Sequence, residues 1–476
     1  MQTANAKRMF TIKKLFNRIM KKIFIGLSLA LMALSCTSED CILLNNNGGN
    51  DSPSTFVTPE MAIVEVENFL KDVSVESRAY AGKTISNIYA TRDIESTRSG
   101  DTLDVEPFVY VVNFDNNQGY ALVSGDTRMQ PILAVVDNGS LVQGAVIDDP
   151  GMIMMLSNIE TDYRMALGLP VEDGDGNIVS PIGTAEDGTY VYPGMNVEDI
   201  EQTRSTNTTY EYGDWDEYIY RGERIACNWG QSSLPFNLHT YTKDGLRAPA
   251  GCVTTAVAQI MYYWGHNCTY DGYYFDWDIM KDPNGLYNTG SLAYQMIAEL
   301  MYKLGLPENL DVDYDVDGSG ADSANVARTF RNFDYISGGS IESYNFDEIY
   351  NVIVSRPIYI AGWARQKVTK NIILGITINK TTYYQEGHAW VIDQVLTRGR
   401  YKYTYIDDIK QPGAIKEYEK LVHCNFGWRG SNNGFYYSKK FNTNEDPVTR
   451  KTTTTTSGTS GYYQYNLKMN TGIYPY

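Results

Sequence analysis

Histidine is scarce in this chain, with four in 476 residues: His239, His266, His388 and His423. Chemistry that needs an imidazole therefore has few places to sit. Cysteine is nearly as sparse, at six: Cys36, Cys41, Cys227, Cys252, Cys268 and Cys424. No CxxC occurs and no spacing fits a zinc pattern. So few cysteines in so long a chain cannot be a disulfide framework, which leaves room for one free, reactive thiol. Basic residues are outnumbered by acidic ones, 40 to 57, for a net charge of −17. Phosphate binding needs clustered Lys and Arg, so a nucleic-acid partner is not expected. The N-terminal apolar run, Ile23 to Leu34 with Gly26 and Ser28 inside it, is well short of the roughly 20 residues that a membrane-spanning helix requires.

What is present reads as globular: 43% hydrophobic and 20% charged residues, in a chain long enough for two or three domains. Lys21 and Lys22 before the apolar run, and Ser35-Cys36 after it, give residues 1–36 the form of an export signal. Ala33-Leu34-Ser35-Cys36 resembles a bacterial lipobox, although Leu34 sits one place nearer the cut than is usual. A lipid on Cys36 and a place in the cell envelope, at the outer membrane or cell surface, are the expectation. An ordinary signal with a coincidental Cys would instead give a secreted protein. Met20-Lys21-Lys22 is a more typical start than Met1. Residues 37–57, with Asn45 to Ser52 almost wholly polar, form a flexible tether.

A first domain is expected over 58–204. Thr58 and Pro59 suit a helix start. Ile63, Val66, Leu70 and Val73 then predict an amphipathic helix over 59–73. Strands follow at 108–114, 120–124 and 132–136, the first two joined by a hairpin-type link. This half contains no His and no plausible nucleophile, so it is structural or inhibitory. Polar, turn-rich stretches at 172–177 and 203–209 follow, the second marking a boundary where proteases would cut. The second domain, 205–476, begins with helices at 252–264, 291–304 and 323–333. Strands then dominate, at 357–363, 388–395, 402–406, 421–426, 434–437 and, after a Thr- and Gly-rich loop, 462–469. Helices first and antiparallel strands after is an α+β order.

Nucleophilic catalysis by Cys needs a thiolate, a base beside it and donors for the oxyanion. Cys252 opens a helix, where unpartnered N–H groups and the helix dipole favour the thiolate. His388 follows Glu386-Gly387 and starts a strand, so one side of its ring is open. The order Cys252, His388, Asn425 fits a papain-type site. Asp313-Tyr314-Asp315-Val316-Asp317-Gly318 imitates the start of a calcium loop, but Ala324 stands where a bidentate Glu is needed, so no metal is expected. A disulfide between Cys227 and Cys424 is left open.

Three segments carry a resemblance to the streptopain family of papain-like cysteine peptidases: Ala250 to Met261 around Cys252, Gly387 to Asp393 around His388, and Asn425-Phe426-Gly427-Trp428-Arg429-Gly430. The likeness covers essentially 225–476. It implies a papain-like catalytic domain, a helical part plus an antiparallel sheet, which acts on proteins or peptides and requires no cofactor. By the same resemblance Cys252 attacks, His388 moves the proton, Asn425 orients the imidazole, Trp428 shields the pair, and Gln231 donates to the oxyanion. Phe426 stands where the family carries Trp. Residues 110–114, 119–126 and 131–134 are similar to the family's propeptide, which implies a smaller α+β inhibitory domain and synthesis as a zymogen. Two rival readings keep the same fold: a transglutaminase-like Cys-His acyltransferase, and a non-catalytic binding lipoprotein.

Overall fold

The computed structural model describes residues 56–76, 80–91, 108–172, 177–184, 190–193, 208–364, 372–378, 387–406, 409–438 and 465–475. The export signal, Met20, Cys36, the tether up to residue 55, the 204/205 boundary and the Thr-rich run all lie outside these residues. The last two tether positions do not: Phe56 bridges to Asp126, and the Val57 N–H donates to the Gly125 carbonyl.

Helix α1, Pro59–Glu76, starts as the Thr58-Pro59 pair predicts and runs three residues past the expected end. Strands β1 (Ile85–Thr91), β2 (Val109–Phe114), β3 (Tyr120–Ser124) and β4 (Ile132–Val136) form an antiparallel meander. Helix α2, Pro150–Ala166, was not anticipated, although Asp149-Pro150 is a helix-start signature. Asp149 accepts from the N–H groups of Gly151 and Met152, at 2.9 and 3.3 Å. After β5 (Thr208–Tyr212) and β6 (Glu217–Gly222) come α3 (Cys252–Trp264), α4 (Leu292–Leu304) and α5 (Val326–Asn332). Strands β7 (Ile358–Ala364), β8 (His388–Ile406), β9 (Ile415–Asn425), β10 (Gly434–Tyr437) and β11 (Tyr465–Asn470) complete the frame. The two strands expected at 388–395 and 402–406 are one 19-residue strand, because β5, β6 and β9 pair along its length.

One antiparallel sheet runs β1-β2-β3-β4-β10-β9-β8-β7-β11. The join is β4 on β10, with Phe435 opposite Val135 and Tyr436 opposite Ala134. The two halves of the chain thus share backbone hydrogen bonds. Alternation along the strands assigns the two faces. Val109, Val111, Val422, Tyr436, Trp390 and Ile392 point to the side covered by α2. Tyr110, Val112, Leu421, Phe435 and Tyr437 point to the side covered by α1. Farther along that second side, Tyr359, Ala389 and Val391 meet α3, α4 and α5. The α+β class holds, with helices on both faces of a sheet that spans both halves.

Candidate active site

Cys252 is the first residue of α3, and Gly251 before it is obligatory in the physical sense. Its φ is +92°, and a Cβ there would come within 3.1 Å of the Ser319 carbonyl oxygen. The Gly251 carbonyl takes both the N–H and the hydroxyl of Thr255, at 3.1 and 3.0 Å, which locks the first turn. The Cys252 Sγ lies 4.0 Å from the carbonyl oxygen of Gly387, the neighbour of His388. Gln231 reaches the same place from another segment: its backbone carbonyl accepts the Ala250 N–H at 2.8 Å. Gly230 bridges to Trp428, and the Arg429 N–H donates to Trp229 at 3.3 Å. Register does the rest, placing His388 opposite Gly362 and Asn425 opposite Val391.

The imidazole of His388 is 3% exposed. Its Nε2 lies 3.1 Å from the Phe426 carbonyl oxygen, so an Nε2–H donates there. The ring is stacked on Trp390, centroids 6.1 Å apart, and sits beside Phe426. Burial pushes its pKa down to about 4 against the pull of the Phe426 carbonyl, so the ring is neutral at physiological pH. Asn425 bonds to other groups in this state: its Oδ1 accepts from Gln259 Nε2 at 2.9 Å and from the Gly427 N–H at 3.3 Å, and its Nδ2 donates to the Cys227 carbonyl at 3.2 Å. Trp428 is half-buried, with its Nε1 buried and without an acceptor among the described residues.

Phe426 connects this site to the N-terminal half. Its ring touches Trp390 and Tyr436, and α2 presses on it so closely that a Cβ on Gly151 would fall 2.3 Å from its Cδ1. The other histidines stand apart. His239 packs on Tyr302 and His266 on Tyr335, while His423 lies in a cluster of buried charges. Cys227 and Cys424 are buried free thiols, so the disulfide left open is not formed. Burial raises both of their pKa values and makes them poor nucleophiles.

Comparison with known proteins now decides the class. The family model "Peptidase C10 family" matches residues 229–436, and that of the Spi protease inhibitor matches residues 54–163. Residues 229–436 belong to the Peptidase C10 family. The chain is a cysteine-type peptidase with an inhibitor-like N-terminal segment. Streptopain from Streptococcus pyogenes is 22% identical over 386 residues, 68% of this chain and 85% of the relative. Among solved structures, a prointerpain A fragment from Prevotella intermedia is 16% identical, covers 82% of this chain and 98% of its own, and gives a TM-score of 0.45. Active interpain A cysteine protease from the same organism is 19% identical, covers 52% of this chain and 93% of its own, and gives 0.31.

In this peptidase, sequence reasoning missed the residues that hold the proposed site residues in place. Gln259 is fully buried two turns along α3 from Cys252, and its role shows only when Asn425 is seen in front of it. Gly151 carries no sequence signal beyond lying in a helix start. Gly305 closes α4 with φ −78°, a right-handed conformation open to any residue. Glycine is needed there because the Tyr314 hydroxyl approaches where a Cβ would be.

Proposed function

We propose that the chain is an exported zymogen whose peptidase half, from about residue 205, hydrolyses peptide bonds through Cys252, with His388 as base. The observation that carries this reading is the convergence of three separate segments. The start of α3, the Gly387-His388 start of β8 and the Asn425–Trp428 segment come together, with Gln231 beside α3. His388 takes the thiol proton as Cys252 attacks the substrate carbonyl, and passes it to the leaving amine as the C–N bond breaks and the thioester forms. Water activated by the same imidazole then releases the acid. In the matured enzyme Asn425 orients the imidazole once it leaves the Phe426 carbonyl, Trp428 shields it, and Gln231 joins the Cys252 N–H around the oxyanion. Residues 1–36 direct export, Cys36 carries lipid, 37–57 tether the molecule to the envelope, and 58–204 inhibit until removed.

The described geometry suits latency. The Nε2–H of His388 is held by the Phe426 carbonyl, and α2 braces the Phe426 residue that supplies it. Removing the pro-segment would free Phe426, and with it the imidazole. The sign of the accompanying pH effect follows from burial. A His whose pKa is depressed to about 4 favours the latent state fully above its unfolded value of about 6.5 and progressively less as pH falls towards 4. On maturation the His388 pKa should therefore rise, which histidine-selective NMR of precursor and product would show.

The direct test expresses residues 37–476, lets the protein mature, and compares casein cleavage, amine incorporation and labelling by the thiol-directed inhibitor E-64. Fragments and a labelled Cys252 are expected. Amine incorporation without fragments would point to an acyltransferase, and neither activity to a binding protein. Gln231→Ala should lower kcat about 10²- to 10³-fold with little change in KM, the usual result of losing one oxyanion donor. An unchanged kcat would remove Gln231 from the site.

A further inference from the structure

The N-terminal half delivers a carboxylate into the peptidase half at the β4–β10 seam. Asp137, one residue past β4, places its Oδ2 2.7 Å from Arg224 Nη1 and 3.0 Å from His423 Nε2, while its Oδ1 is 3.0 Å from Arg224 Nη2. Tyr80 donates its hydroxyl to Oδ1 at 2.7 Å, and Lys83 Nζ donates to the Asp137 backbone carbonyl at 2.8 Å. Both of those residues belong to the N-terminal half. Behind the imidazole, Asp393 on β8 accepts from His423 Nδ1 at 2.5 Å and from the Ile225 N–H at 2.9 Å. The ring edge of Phe435 closes the remaining side.

We propose that Arg224 and His423 form a carboxylate-binding site on the peptidase half, filled in the precursor by Asp137, and that it makes docking of the N-terminal half depend on pH. The proposal rests on the zymogen reading above and assigns it an anchor. The hydrogen-bond geometry argues first. Each ring nitrogen of His423 faces a carboxylate oxygen, and a neutral imidazole has only one N–H, so the second nitrogen would oppose oxygen lone pairs. Only the imidazolium donates on both sides. Charge balance argues next: Arg224 and a protonated His423 cancel Asp137 and Asp393, whereas a neutral ring leaves one buried negative charge uncompensated. Burial and the nearby Arg224 pull the His423 pKa down, but the two carboxylates outweigh them and hold it above its ordinary value. Burial likewise opposes ionisation of Asp137, yet His423 and Arg224 keep its carboxyl well below the usual range.

The sign follows. Asp393 remains beside His423 after the N-terminal half leaves, but Asp137 does not, so the docked imidazole holds its proton more firmly than the undocked one. Docking is then strongest below the undocked pKa and weakens as pH rises through the docked value. Two other groups titrate nearby. Burial and, more weakly, Arg224 lower Lys83 to about 8 with Asp137 opposing, and its hydrogen bonds, to the Gln118 and Asp137 carbonyls, stay within the N-terminal half. Burial raises Asp149 to about 7 against its bonds from Asn432, Met152 and Gly151.

The test uses the full chain carrying Cys252→Ala, so that processing cannot interfere, and reads amide hydrogen exchange at β4 and β10, corrected for intrinsic rates. Between pH 7 and 9, Asp137→Asn should lower seam protection at least tenfold at the lower pH. The gap from the parent should narrow by about tenfold at the higher pH, which corresponds to one unit of pKa shift. Lys83→Met should keep the parent's slope. A parent whose seam protection does not fall with pH overturns the proposal, and so does an Asp137→Asn chain that matches it at both values. The exchange measurement on the parent stands even if the Asn variant folds poorly. Casein cleavage by the Cys252 protein is independent of all this, so failure of the anchor and failure of the peptidase reading are separately visible.

Discussion

Cys252→Ala is expected to abolish casein cleavage, with a fall in kcat of at least about 10⁴-fold, and to leave the precursor at full length. The magnitude follows from the chemistry. Without the sulfur no thioester forms, and what remains is binding plus oxyanion donors acting on water, a small fraction of the whole effect. His388→Ala should cost about as much, and the double variant little more than either alone, because the two groups act as one unit. Full proteolysis by the Ala variant would end the peptidase assignment of this site. Clean processing of the pure variant would remove self-maturation while leaving the site intact. The second outcome bears on regulation alone.

Arg398→Ala is expected to destabilise the precursor by about 3–5 kcal/mol, the usual penalty for orphaning a buried charge. Arg398, on β8, is fully buried and paired with the equally buried Glu419 on β9. Its Nη2 reaches Glu65 of α1 at 2.5 Å, and the guanidinium lies 4.1 Å from the ring centroid of Trp215. The Glu65 carboxylate also takes the Trp215 Nε1–H at 3.1 Å, and Glu419 takes the Ile132 N–H at 3.3 Å. Removing the guanidinium therefore strands Glu419 in the core and releases α1 from the sheet. Replacing the pair together, Arg398→Met with Glu419→Leu, should recover much of the loss, because apolar groups of similar size carry no desolvation penalty. Urea unfolding of the Cys252→Ala chain measures both. A single-variant loss below about 1 kcal/mol would show the pair to be hydrated and energetically idle.

These two sites differ in how far the primary structure announces them. Cys252 at a helix start, His388 after a glycine and Asn425 before Phe426-Gly427-Trp428 are local patterns, and each can be read from its neighbours. Arg398 and Glu419 look like ordinary strand-surface charges, since both lie in stretches where polar and apolar residues alternate. They are buried because α1 and Trp215, more than 180 residues away along the chain, lie over them. His423 misleads for the same reason. Its partners Asp393 and Asp137 come from a neighbouring strand and from the other half of the molecule. Helix α2 was legible in principle from its Asp-Pro start. Its burial was not, because nearly every side chain over 151–163 is enclosed and the segment shows no polar face to mark its period.

The chain order of the proposed nucleophile, base and Asn and the α+β class were legible in the sequence alone. Helix starts, strand alternation and turn chemistry act over a few residues, and these features need nothing longer. The tertiary structure decided that the two halves share one sheet, that His388 donates to Phe426, and that Asp137 ends between Arg224 and His423. Those outcomes depend on strand register and on which edge meets which. The hydrogen-bonded pairing of β4 on β10 brings residues about 300 positions apart within reach of each other.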